Sequence, residues 1–268
     1  MPLTPSTMNP NATVPSLMLP DFRDRWAETL GWCPTLLQQT QFQALLTQLC
    51  QLNQSVNLTR ITDPADFWEK HLWDSLWGVQ PWLSPESDPL AALAGTDRLQ
   101  KVIDIGTGGG FPGCPVAIAQ PQWQVTLLDA TRKKVTCLEQ LCQALPLPNV
   151  HPYCDRAENL GQNPAYRASF DVALIRAVGP VASCAEYAIP FLKVGGTAVL
   201  YRGHWTMEEE QSLQRALLQL GSEHIAIRTS QTPLTQSLRH CVYLRKIAPT
   251  PPEFPRRVGL PARKPLGG

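Results

Sequence analysis

The residues best suited to chemistry lie in one short run, Asp104-Ile105-Gly106-Thr107-Gly108-Gly109-Gly110-Phe111-Pro112-Gly113. Gly106, Gly108, Gly109 and Gly110 fall within it, and the apolar run KVIDI leads straight into them. Glycine lets a backbone turn sharply and approach a ligand with no Cβ in the way. A strand ending in such a loop can cradle a small molecule. Asp104, at the strand's carboxyl end, can bind an ammonium group directly or through water. Asp129 ends the next strand-like run, QVTLLD. An acid there can accept both hydroxyl hydrogens of a ribose, or cap the following helix, or do both. Asp155, Ala157 and Glu158 follow a third run, where a backbone N–H and an acid can read an adenine edge, although a lone Glu158 also suits solvent.

Gly108, Gly110 and Gly113 satisfy G-x-G-x-x-G, the dinucleotide pattern. In that pattern a helix starts inside the motif and faces a pyrophosphate. Here Phe111-Pro112 interrupts it and Pro115 follows, and each proline removes an N–H that a pyrophosphate would use. S-adenosylmethionine has a nucleoside and no phosphate, so it suits the loop better. The favoured reading is a methyltransferase that uses this donor. An NAD-dependent oxidoreductase is the competing class; it needs a catalytic Tyr-Lys or His site, and none stands out. A non-catalytic RNA- or ribosome-binding module is a third reading.

The elements that position these residues follow from periodicity. From 101 to about 220, strand-like runs alternate with helical ones, which implies a parallel sheet with helices on both faces. FDVALI (170–175) is a strong strand, VHPYC a weak one. A helix over 181–192 is expected to end at Gly195-Gly196. MEEEQSLQRALLQL has acids in its first turn and Gly221 after its end, as a helix should. EHIAIRT and RHCVYLRK are joined too closely for a helical crossover, so they should pair antiparallel. Five parallel strands and a terminal antiparallel pair form the Rossmann-like α/β sheet of class I S-adenosylmethionine methyltransferases.

Outside that sheet, residues 1–20 read as a mobile tail and 21–98 as a helical extension and linker. Residues 99–247 form the methyltransferase domain, and 248–268 a basic, proline-rich tail. Phe42, Leu45, Leu46 and Leu49 recur at helical spacing, and Asp63-Pro64 is a helix start. The 268 residues are 43% apolar, enough for a sizeable core, and carry a formal net charge of +1. That balance argues neither for nor against a nucleic-acid partner, but basic residues gather after Arg239. The eight cysteines contain no C-x-x-C pair, so no metal site is expected. The chain shows no signal peptide and no apolar run of spanning length. A cytoplasmic protein with free thiols, not bound to membrane and monomeric, is the expectation.

With these motifs in hand, the chain resembles the bacterial small-subunit ribosomal RNA methyltransferase G family, also called glucose-inhibited division protein B. The resemblance runs over roughly residues 40–266. It is carried by Asn57-Leu58-Thr59-Arg60-Ile61-Thr62, Lys70-His71 and Asp74-Ser75-Leu76. It continues through DIGTGGGFPGCP, Arg156-Ala157-Glu158, Phe170-Asp171, Arg176-Ala177-Val178 and Lys193-x-Gly195-Gly196 to Phe254-Pro255-Arg256-Arg257, Gly259 and Lys264-Pro265-Leu266. The resemblance implies methyl transfer to N7 of one guanine in 16S ribosomal RNA, so the partner is that RNA or the small subunit. It implies cofactor contacts at Gly106, Phe111, Asp129, Ala130, Thr131, Ala157, Glu158 and Arg176, beside Asp104 and Gly108. It also implies RNA contacts at Arg256, Arg257 and Lys264. Asp129-Ala130 stands where the family often has Asp-Ser, and the Thr131 hydroxyl can substitute.

Guanine N7 carries an in-plane lone pair, so attack on a sulfonium methyl needs no general base. Alignment and electrostatics suffice. The sequence lacks the Asn/Asp-Pro-Pro-aromatic motif of amine methylation, and Cys184, in a helix, reads as core. Arg176, after a central strand, can hold guanine, an RNA phosphate or the cofactor carboxylate, or form a structural ion pair. His71 reads as a histidine packed between helices. Trp68, Trp73 and Trp77 read as packing residues.

Overall fold

A computed structural model describes residues 17–53, 56–88, 90, 92 and 99–267. KVIDI becomes the central strand β1 (Lys101–Ile105), buried from Val102 onward. A strand apolar on both faces needs helices on both. β2 (Gln124–Asp129) and β3 (Val150–Cys154) continue the sheet in parallel on one side. β4 (Phe170–Arg176) and β5 (Leu192–Arg202) do so on the other. β6 (Ser222–Gln231) and β7 (Leu238–Lys246) form the expected antiparallel pair, and β7 inserts beside β5. The strand order is β3-β2-β1-β4-β5-β7-β6. β3 carries Pro152 without loss because it is an edge strand.

The crossovers are α6 (Gly113–Ala119), α7 (Arg132–Ala144), α8 (Ala157–Leu160), α9 (Val181–Ala188) and α10 (Met207–Leu220). The signals at the ends of α10 act as read: Thr206 accepts from Glu209 N, and Gly221 ends the helix at φ 72°. The double glycine behaves differently. The 181–192 helix ends at Ala188, and Ile189–Phe191 forms a 3-10 turn. Gly195 and Gly196 lie inside β5, where its register on β4 shifts. A Cβ at Gly196 would meet the Asp171 and Lys193 carbonyl oxygens at 3.0 Å, so Gly196 serves a close strand approach, while Gly195 takes the positive φ of 89° that the irregularity requires.

The extension comprises α1 (Arg23–Leu30), α2 (Leu36–Leu52), α3 (Pro64–Phe67), a π-helical turn (Trp68–Trp73), α4 (Asp74–Trp77) and α5 (Gln80–Leu83). Asp63 caps α3, accepting from Ala65 N and Asp66 N. Trp26, Phe42, Phe67, Trp68 and Trp73 share one hydrophobic cluster with Val102, Phe111 and Val116. The extension therefore covers one face of the sheet, and the tryptophans are its packing. The π turn directs Glu69 and His71 inward, α4 opens on Asp74, and all three are buried. Glu69 accepts from Thr235 N at 2.9 Å and Thr235 Oγ1 at 2.6 Å, fastening the β6–β7 connection to the extension.

Residues 1–16 of the expected tail, and most of 89–98, lie outside the described residues. Within 17–20, Leu19 N donates to Gln43 Oε1. The basic C-terminal segment is packed on the domain. Phe254 and Leu266 are buried in the cluster on the other face. Arg167 donates to the Thr250, Pro251 and Phe254 carbonyls, and α11 (Leu260–Arg263) lies against α9.

Candidate active site

β1 delivers Asp104 to the mouth of the glycine loop, where its side chain is fully buried. Oδ2 accepts from Thr107 Oγ1 at 2.6 Å and Gly113 N at 2.8 Å; Oδ1 has no partner among the described residues. Burial pushes the carboxyl up to about 6, against the pull of those two hydrogen bonds. Gly113 must be glycine, since a Cβ there would lie 2.9 Å from Asp104 Oδ2 and 2.2 Å from Leu127 Cδ2. Gly106, Gly108 and Gly110 take φ of 70°, 60° and 92°, which L side chains rarely adopt.

Asp129, at the end of β2, reaches back over the loop. Oδ2 accepts from Gly108 N at 3.0 Å and Oδ1 from Thr131 N at 2.8 Å. The first residue of the cap is Thr131, so Asp129 clasps the glycine loop to the start of α7 and does not bond the helix's own first turn. Beside it opens a cavity of about 320 Å³ whose lining includes Gly106, Asp129, Ala130, Thr131, Ala157 and Glu158. Six residues assigned to the cofactor thus meet in one place, at the carboxyl ends of β1, β2 and β3 where open α/β sheets bind ligands. Ile105, Val178, Tyr187 and Ala262 add apolar wall. Ala262 had no readable signal: a residue of the terminal segment reaches the cavity only because that segment is docked. Glu158 Oε1 accepts from Gly259 N at 2.9 Å, tying the two together.

Arg256, expected at RNA, is engaged internally. Its Nε and Nη2 bond the fully buried Glu186, and Nη2 also donates to the Lys264 carbonyl. A charge buried in a cluster needs a partner, and Arg256 is the partner of Glu186. Arg257 and Lys264 are exposed.

Arg176 does not line the cavity beside Asp129. Its Nη1 bonds Asp74 Oδ2 at 2.8 Å and the Lys70 carbonyl at 3.0 Å. It borders a second cleft, of about 420 Å³, with Asp74, Ala177, Tyr201 and Arg239. Arg239 Nε stands 3.4 Å from Asp74 Oδ1. Ala177 sits at φ 56°, unusual for a side-chain-bearing residue, and turns the chain so that Ala177 faces the cleft and Val178 the first cavity. His71 is packed between elements, as read, but it also touches the site. It stacks on Phe111 and its Nδ1 meets Arg176 Nη2 at 3.3 Å. Phe111 and Gly108 shape the loop and are not among the cavity's lining residues.

Among the described residues no group of His, Cys, Asp and Glu could hold a metal ion, and no helix is long and apolar enough to cross a membrane.

The sequence pattern of the family described as rRNA small subunit methyltransferase G matches residues 38–240. The protein named Ribosomal RNA small subunit methyltransferase G from Nostoc punctiforme is 50% identical over 249 residues, 93% of this chain and 99% of its own. Those of the same name from Trichormus variabilis and Synechococcus elongatus are 51% and 52% identical, over 93% and 90% of this chain and 99% and 96% of theirs. The chain, with its glycine loop, its cavity beside Asp129 and Glu158 and a seven-stranded sheet of this order, belongs to the rRNA small subunit methyltransferase G family, enzymes that methylate ribosomal RNA with S-adenosylmethionine.

Proposed function

We propose that the chain transfers the methyl group of S-adenosylmethionine to N7 of a guanine in small-subunit ribosomal RNA. The donor's adenosine belongs in the Asp129–Glu158 cavity and the guanine in the Arg176 cleft. One observation carries this reading: two cavities with different linings meet at the Arg176–Val178 turn, at the carboxyl ends of the central strands.

The residues present fit the donor. Asp104 Oδ1 is a buried acceptor lacking a partner, which suits an ammonium group. Asp129 lines the cavity with a carboxylate whose lone pairs exceed its two backbone bonds, leaving acceptor capacity for ribose hydroxyls. Glu158 and the Ala157 backbone stand where the adenine edge is read, and Ala130 and Thr131 border the ribose side. When bound, the donor supplies an electrophilic methyl on a sulfonium.

The chain's own residues align and polarise. Attack of a guanine N7 lone pair on that methyl would leave the C–S electron pair with sulfur and release no proton, so the chain need supply no general base. Arg176, held by Asp74 and the Lys70 carbonyl, stands at the wall between the cavities. The exposed Arg257 and Lys264 suit phosphate contact. The reaction belongs in the cytoplasm, where the small subunit is built.

The test is methyl transfer from labelled S-adenosylmethionine to undermethylated small subunits, with the product nucleoside identified by mass spectrometry. 7-Methylguanosine at one position is the expected product. Label on another atom, or none, overturns the assignment.

A further inference from the structure

Guanine is most often read by an arginine donating to O6 and N7 together. An N7 methylation site cannot use that contact, because the N7 lone pair must face the incoming methyl. The remaining hydrogen-bonding edge of guanine offers N1–H and the N2 amino group, two parallel donors. A carboxylate matches that pair with two parallel acceptors.

The cleft beside Arg176 contains one carboxylate among its described lining residues, that of Asp74. It is held from both sides. Arg176 Nη1 donates to Oδ2 at 2.8 Å, and Arg239 Nε lies 3.4 Å from Oδ1. The π-helical turn and α4 deliver it from one direction, β4 and β7 deliver its two arginines from another. Each oxygen has one cationic neighbour and a remaining lone pair. The side chain keeps 10% of its surface accessible, on the cleft. Two arginines on one carboxylate fix its orientation, which makes it a pre-organised acceptor at the cleft wall.

We propose that Asp74 is the residue that selects guanine, accepting hydrogen bonds from N1–H and the N2 amino group so that N7 faces the methyl donor. This rests on the guanine-N7 reading above. The arrangement also assists the reaction. The purine gains positive charge as N7 is alkylated, N1–H becomes a stronger donor, and its bond to Asp74 tightens in the transition state. Arg176 and Arg239 are positioning residues that act through Asp74. Adenine, with no donor at N1 and no amino group at C2, cannot make the pair, and it presents an unsatisfied lone pair to the carboxylate.

The experiment compares reconstituted, undermethylated small subunits carrying guanine or inosine at the methylated position; inosine lacks only the N2 amino group. For the unaltered enzyme, kcat/KM should fall roughly 10- to 100-fold from guanine to inosine, the cost of one charge-assisted hydrogen bond. Asp74→Asn should be slow on guanine and differ less than about threefold between the two acceptors, while binding S-adenosylhomocysteine within about threefold of the unaltered enzyme. Equal rates on guanine and inosine for the unaltered enzyme overturn the proposal, and that arm needs no variant to fold. Full discrimination by Asp74→Asn overturns it too. No transfer to guanine by the unaltered enzyme defeats the guanine-N7 reading itself and is thereby distinguished from a failure of Asp74.

Discussion

The ring of His71 lies flat on that of Phe111, centroids 4.0 Å apart and planes 8° from parallel. This contact joins the helical extension to the glycine loop. A guanidinium can only donate, so Arg176 Nη2 makes His71 Nδ1 an acceptor; the proton sits on Nε2 and is donated to Thr59 Oγ1 at 2.8 Å. Burial, aided by the Arg176 charge, pushes the imidazole down to about 3. The unfolded chain, with an ordinary histidine near 6.5, therefore binds more protons between those values, and this contribution to stability is lost as pH falls from about 6.5 toward 3.

His71→Phe keeps the stacking and removes the titration. The stability advantage of the unaltered protein over the variant should shrink by about 2 kcal/mol between pH 7 and pH 5. Urea unfolding at both values measures it, and a pH-independent difference refutes a neutral buried His71.

Asp104 has the opposite sign. Its carboxyl, raised to about 6, is protonated in the fold where an ordinary one near 3.8 is ionised, so stability declines as pH rises across that window. An ammonium at Oδ1 favours the ionised form. S-Adenosylhomocysteine should bind roughly tenfold more weakly at pH 5 than at pH 7. Methylthioadenosine, which has no ammonium, should show no such trend. Calorimetric titration of both ligands decides the matter; parallel pH profiles would remove Asp104 from the ammonium site.

Removal of the Asp129 carboxylate leaves two backbone N–H groups, of Gly108 and Thr131, without their acceptor. Asp129→Ala should weaken cofactor binding by about 1–3 kcal/mol, and Asp129→Asn, which retains one acceptor oxygen, by less. Unchanged affinity in Asp129→Ala would exclude it from the ribose site.

Arg256 and its neighbours should separate by phenotype. Arg256→Met strands the buried Glu186 and should cost about 3–5 kcal/mol, a loss that the additional change Glu186→Gln partly restores. Arg257→Ala and Lys264→Ala should leave stability within about 0.5 kcal/mol and lower rRNA affinity, each reducing the salt slope by about 1. Filter binding across a salt series, with thermal unfolding alongside, tests both. A salt slope unchanged by Arg257→Ala and Lys264→Ala places RNA contact elsewhere.

The sheet, the glycine loop and the placement of Asp104 and Asp129 beside it were legible in the sequence, because these depend on local signals. Alternating apolar runs end in glycines whose positive φ no other residue tolerates well, and Asp104 and Asp129 stand at strand ends where chain direction alone brings them together. The close spacing of the last two strands decided their antiparallel pairing in the same way. Gly195-Gly196 misled because a glycine pair signals equally a helix end and a close strand approach, and only the β4–β5 register distinguishes them. The second cleft was decided by tertiary structure. Arg176 stood out after its central strand and Asp74 within a motif, but no local signal brings these two and Arg239 together from three distant elements. The inward turn of Arg256 within the basic tail was likewise invisible. A run of Arg and Lys carries charge but no direction, and Arg256 faces inward because Glu186, buried on a neighbouring helix, must have a counter-charge.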